Sequence, residues 1–244
     1  PANPTNALID IEMCKSIADL YSTMDTKVHL AVDNTYMGPL WQHPLEHGAD
    51  SVLYSATKYI GGHSDVIAGA CCGSNEVISR IKVLRTFLGN MAAPHTGWLL
   101  MRSLETLKIR MEQQARNAQE VATYLDGHKK VEKVYYLGLI KENTKEYEIY
   151  QKQYDSPGAM LSFDIVGGEK EAFKFIDSLK LIKLAVSLGG TESLVEHPAT
   201  MTHAGVEPNH REELSITEKL VRISVGVENY EDLIWDINQA LEKV

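Results

Sequence analysis

At 244 residues, with 44% hydrophobic and 23% charged residues, the chain is long enough for one large folded unit or two modest ones. A formal net charge of −9 and the lack of any dense Lys/Arg run argue against a nucleic-acid or anionic-membrane surface, because phosphates are met by clustered cations. No apolar run reaches the roughly eighteen residues of a membrane span, and three irregularly spaced cysteines (Cys14, Cys71, Cys72) read as reduced thiols of a cytoplasmic protein rather than a disulfide framework or zinc site.

Pro1-Ala2-Asn3-Pro4-Thr5-Asn6 opens the chain without an initiator Met or the basic-then-apolar plan of a signal peptide, so the expectation is an interior stretch of a longer protein. Ile9, Met13, Ile17, Leu20 and Tyr21 have helical spacing within 9–24. A short apolar run over 28–32 predicts a buried strand closed by Asp33-Asn34. A short helix over 45–48, a strand over 51–55 and a small, apolar strand over 66–73 follow, the last with Cys71-Cys72 as plain core. From His95 to about Leu125 one long helical pattern runs, a plausible connector. Beyond it are predicted strands over 131–136, 159–165, 184–187 and 221–225, and helices over 145–154, 170–179 and 230–241. Strands alternating with helices point to an α/β fold with a largely parallel sheet, and the division falls near Ile109, giving units 1–109 and 110–244.

Lys58 follows a strand, flanked by Ser55 and Thr57 and then by Gly61-Gly62, where sheets of this type place their ligand sites. A lysine desolvated there loses its proton more readily and becomes a nucleophile toward an aldehyde. On spacing alone, a solvated lysine in a polar turn is the competing reading. Ser55 and Thr57 alternate along the strand end, so both hydroxyls can face one way toward a phosphate. Asp33 ends the preceding strand at the same sheet edge, where a carboxylate can pair with a pyridinium nitrogen. A turn-capping Asp is the bland alternative.

These segments resemble the signature of the cysteine/methionine-metabolism family of pyridoxal-phosphate enzymes: Val32-Asp33-Asn34-Thr35-Tyr36, Gly48-Ala49-Asp50, Ser55-Ala56-Thr57-Lys58-Tyr59, Gly62-His63-Ser64-Asp65 and Ala68-Gly69. Ser156 to Met160, Ser187 to Gly190, His197 to His203 and Val221 to Gly226 match in the same order, from end to end. The resemblance implies the fold type I transferase architecture, with a mostly parallel sheet in a large domain and a smaller C-terminal α/β domain. It implies pyridoxal 5'-phosphate as cofactor, carried by Lys58, with Asp33 on the ring nitrogen and Ser55 and Thr57 on the phosphate. Asn3 is implied beside the ring hydroxyl and the substrate carboxylate, Arg222 on that carboxylate, and Ser187 and Leu188 along the substrate pocket.

The resemblance also implies sulfur amino acid substrates and a homodimer or tetramer. The expected reaction is γ-elimination of L-methionine, because Val186 stands where cystathionine-processing members often carry Glu. The alternatives are γ-replacement, cystathionine cleavage, or an inactive fragment or subunit. The family's glycine-rich phosphate loop, ring-stacking tyrosine, and the Tyr and Arg lent by a neighbouring subunit all precede the Pro-Ala-Asn-Pro motif. The missing N-terminal portion is thus expected elsewhere, a separate piece being one option, and residues 1–244 alone are expected to bind cofactor poorly.

No metal is expected. His43-Pro44-Leu45-Glu46-His47 fits a metallopeptidase pattern but has no evident third ligand, and His197 and His203 read as loop structure or pocket lining.

Overall fold

A computed structural model describes residues 1–244. The first half is built from α1 (Ile11–Leu20), β1 (Ala31–Asp33), α2 (Gly38–Trp41), β2 (Ser51–Ser55), β3 (Gly69–Gly73), α3 (Asn75–Leu88), α4 (Pro94–Leu104) and α5 (Leu107–Asp126). The second half follows with β4 (Val131–Tyr135), α6 (Lys145–Gln153), β5 (Met160–Ile165), α7 (Glu169–Ser178), β6 (Lys183–Leu184), β7 (Leu194–Glu196), α8 (Pro208–Glu213), β8 (Leu220–Ser224) and α9 (Tyr230–Leu241). Short 3₁₀ turns lie at Pro44–His47 and Leu137–Leu139. No helix is long and apolar enough to cross a membrane.

Helix starts obey local chemistry. Asp10, Ser74, Thr144 and Asn229 each cap a first turn by accepting a backbone N–H, satisfying donors with no partner inside the helix.

One sheet has the order β1-β2-β3, with β1 parallel to β2 and β3 antiparallel to it. The expectation of parallel pairing holds for β1 and β2; β3 reverses because the chain between β2 and β3 returns as a turn without a crossover helix. The second sheet has the order β4-β5-β8-β7-β6 and is antiparallel except for β6 with β7. Its central strands β5 and β8 are buried along their whole length. They pack with the inner faces of α5, α7 and α9, including Met111, Val121, Leu125, Phe175, Leu233 and Ile237. Burying each such side chain stabilises by about 1.5–3 kcal/mol, and Tyr36, Met37, Trp41 and Tyr59 join the same core from the first half.

Four sequence expectations need correction, the first being the buried strand over 28–32: the strand is β1, Ala31–Asp33, exposed at both ends. The single helix over 95–125 is two, broken at Glu105–Thr106, because the Ser103 carbonyl is taken by the side chains of Arg110 and Thr106. The strand over 66–73 starts at Gly69, and Cys71-Cys72 is not core: Cys71 is half-buried and Cys72 exposed, since β3 is an edge strand. α2, α3 (with no buried residue), the short β7 and α8 were not anticipated.

Candidate active site

β2 delivers the chain into a tight turn over 56–61 whose amides bond inward: Lys58 N donates to Ser55 O at 3.1 Å and Gly61 N to Ala56 O at 2.8 Å. Thr57 is held by Ala68. Its amide donates to the Ala68 carbonyl at 3.1 Å and its hydroxyl accepts from the Ala68 amide at 3.0 Å, while contacting that carbonyl at 3.3 Å. The Thr57 hydroxyl thus ties the turn to Ala68, where the strand-end spacing has it and Ser55 facing one way toward a phosphate. Ser55 and Asp33 do share one open cleft of about 670 Å³, lined also by Leu53, Tyr54 and Cys71. Asp33 accepts from Thr35 N at 2.9 Å, and Thr35 Oγ1 accepts from Ser55 N at 2.8 Å, so Thr35 ties the ends of β1 and β2 together.

Lys58 is half-buried, and its Nζ donates to Ser187 Oγ at 3.0 Å across 129 residues of sequence. Burial, and then the Arg222 guanidinium, push its ammonium below the ordinary lysine range, while Glu196 pulls the other way.

The segment bearing Ser187 is held by Arg222 of β8. Arg222 Nη2 donates to the Val186 carbonyl at 3.0 Å and to the Ser187 carbonyl at 3.2 Å, and Nη1 to Asn3 Oδ1 at 2.9 Å. Tyr36 donates its hydroxyl to the same Asn3 oxygen. Leu188 is buried below the segment and Val186 is 52% exposed. The structure thus brings Asn3, Lys58, Val186, Ser187, Leu188 and Arg222 together, with Asp33, Ser55 and Thr57 along the adjoining strand ends.

Sequence reasoning missed Glu196. It pairs with Arg222 across β7 and β8, Oε1 to Nη1 at 2.6 Å, with side chains 0% and 2% exposed. Thr202 donates to the same carboxylate at 2.9 Å. Burial pushes the Glu196 carboxyl up, against the pull of Arg222, Thr202 and Lys58. Glu196 Oε2 and Arg222 Nε are buried without a partner, a cost tolerated where polar groups serve a site. The available signal was a lone Glu ending an otherwise apolar Leu194-Val195.

The histidines are engaged separately. His43 lies 3.4 Å from Asp155 and His47 lies 3.2 Å from Glu12. Buried His197 bonds the Thr200 hydroxyl at 2.8 Å and the Glu218 carbonyl at 2.7 Å, ordering its loop. No three His, Cys, Asp or Glu side chains gather as metal ligands.

These residues fit the aldehyde and ring ends of pyridoxal phosphate: an amine of lowered basicity lies half-buried at Lys58, and a carboxylate lies at the sheet edge at Asp33. At the phosphate end, Ser55 lines the cleft while Thr57 is already bonded to Ala68.

Comparison with known proteins agrees with this donor set. The chain is 44% identical over 246 residues to the L-methionine gamma-lyase of Fusobacterium nucleatum subsp. nucleatum, covering all of this chain and 61% of that protein. It is equally 44% identical over 244 residues to a cystathionine beta-lyase of Lactococcus lactis subsp. cremoris, covering 62% of it. The crystal structure of cystathionine gamma synthase from Xanthomonas oryzae pv. oryzae in complex with cystathionine superposes with a TM-score of 0.92 at 38% identity, over all of this chain and 61% of that one. The chain spans about 61% of the length of the curated relatives it matches. The family profile described as Cys/Met metabolism PLP-dependent enzyme matches residues 1–242. With its lysine turn, arginine clamp and sheet edge all in place, the chain belongs to that family of pyridoxal-phosphate-dependent enzymes.

Proposed function

We propose that the intact protein catalyses γ-elimination of L-methionine, taking up water and releasing methanethiol, 2-oxobutanoate and ammonia. The observation that carries this reading is the convergence of Lys58, Ser187 and Arg222 beside an apolar Val186. When bound, pyridoxal phosphate supplies the aldehyde for covalent attachment and a ring that accepts the electron pair released at Cα.

Lys58 Nζ would hold the cofactor aldehyde and, when free of it, would be the base that takes the Cα proton. Burial and the Arg222 guanidinium lower its basicity, which favours the neutral amine. Asp33 keeps a proton on the ring nitrogen. Asn3 and Arg222, whose Nε has no partner, receive the substrate carboxylate. Ser187 steadies Lys58 Nζ through its hydroxyl.

Val186 favours a methyl thioether over a distal ammonium, because a charged amine facing an apolar side chain has no partner to offset its desolvation. γ-Replacement on an activated homoserine is the alternative reading, since the same residues serve it. Headspace thiol from methionine, set against cystathionine formed from cysteine plus an activated homoserine, decides between them. Replacement without thiol release overturns the methionine assignment.

A further inference from the structure

α5 carries three buried polar side chains along one face: Arg110, Gln114 and Asn117. A core helix has no need of them, and each is costly unless bonded. Each donates to the backbone of a different loop. Arg110 Nη1 reaches the carbonyl of Tyr59, the residue after Lys58, at 2.9 Å. Gln114 Nε2 reaches the carbonyl of Gly190, which ends the segment begun at Ser187, at 2.6 Å. Asn117 Nδ2 reaches the carbonyls of Gly226 and Glu228, beyond the Arg222 strand, at 3.0 and 2.6 Å.

The loops they hold also touch each other. Thr191 N donates to the Gly62 carbonyl at 3.0 Å. Gly62 and Gly189 both have positive φ, and a Cβ at either would collide, at 1.9 Å with Arg110 Nη1 or at 2.8 Å with Tyr59 N. The lysine turn and the arginine-held segment thus pack face to face with α5 clasping both from behind.

We propose that Arg110, Gln114 and Asn117 are positioning residues that set the lysine turn and the carboxylate-binding segment in one register, so that Lys58 and Arg222 meet the same amino acid. This rests on the roles of Lys58 and Arg222 proposed above. The division of labour separates it from a purely structural ladder: Arg110 governs the lysine turn, Gln114 the substrate segment.

The test compares Gln114→Met and Arg110→Met in the intact enzyme, with pyridoxal phosphate and L-methionine. Gln114→Met should raise KM about 10-fold, the effect of one lost hydrogen bond, with kcat within about twofold and borohydride fixation at Lys58 unchanged. Arg110→Met should slow fixation at Lys58 about 10-fold with KM within about twofold, and Arg110→Lys, which keeps a donor for Tyr59, should restore most of it. Variants that lose kcat, KM and fixation together in proportion to a fall in Tm overturn the proposal, as do variants indistinguishable from wild type. Should Arg110→Met fail to fold, the near-isosteric Gln114→Met carries the test alone. Wild-type enzyme that takes no label at Lys58 overturns the underlying reading, and the proposal with it; a labelled wild type with unsplit variants overturns the proposal alone.

Discussion

Glu196 and Arg222 face each other on neighbouring strands, Oε1 to Nη1 at 2.6 Å, both out of solvent. Because the same guanidinium also grips the Val186 and Ser187 carbonyls and Asn3, the pair fixes the segment on which Lys58 Nζ leans. Removing one partner of such a pair strands a buried charge, at about 3–5 kcal/mol. Glu196→Leu should lower unfolding free energy by that order in denaturant titration, and Glu196→Gln by less, since its amide oxygen still accepts from Arg222.

Asp236 should matter for stability while lying outside the site. Buried on α9, it accepts from the amides of Lys180, Leu181 and Ile182 at 2.8–2.9 Å, anchoring the chain as it enters β6. Asp236→Ala leaves these donors unpaired, of which only the Ile182 amide is buried, at about 1–3 kcal/mol. A destabilisation of about 1–3 kcal/mol is expected, with faster amide exchange confined at first to residues 180–184. A loss under about 1 kcal/mol would contradict the anchoring role.

Much of this was legible in sequence, and the failures have physical causes. Asp33, Ser55 and Thr57 could be grouped with Lys58 because a strand-turn pattern brings near neighbours to one sheet edge. Arg222 and Asn3 lie 219 residues apart, and no local pattern joins them; only the family resemblance did. Glu196 was invisible because β7 is three residues long, too short to show an alternation. α3 did carry cap signals in Ser74 and Gly89, but its apolar residues do not form a buried stripe. The bonds of the Thr57 hydroxyl to Ala68 were not foreseen, because spacing gives a side chain's direction and says nothing of a neighbouring backbone.

Gly189 offers a prediction about packing. Its φ of +73° lies in the left-handed region, and a Cβ there would stand 2.8 Å from Tyr59 N. Gly189→Ala should cost more than the roughly 1–2 kcal/mol of the backbone conformation alone, because the Lys58 turn must also shift. Thermal unfolding and methionine KM should both worsen, whereas an unchanged KM would show that the two loops are not coupled here.

Acid should act through Asp50. Burial opposes its ionisation, but Lys27, the Leu30 amide and Lys15 outweigh that and bring the carboxyl down from 3.8 to about 2. A carboxyl whose folded pKa is depressed stabilises fully above its unfolded pKa and loses that contribution as pH falls through the folded one. That contribution should therefore disappear between roughly pH 4 and pH 2. Asp50→Asn should flatten stability across that window, and an unaltered slope would refute the assignment.

The most direct test of the account is where vitamin B6 aldehyde attaches. Borohydride reduction of the intact holoenzyme, followed by peptide mapping, should place the pyridoxyl label on Lys58, and Lys58→Ala should abolish both label and turnover. Label on another lysine, or appreciable turnover without Lys58, would contradict it.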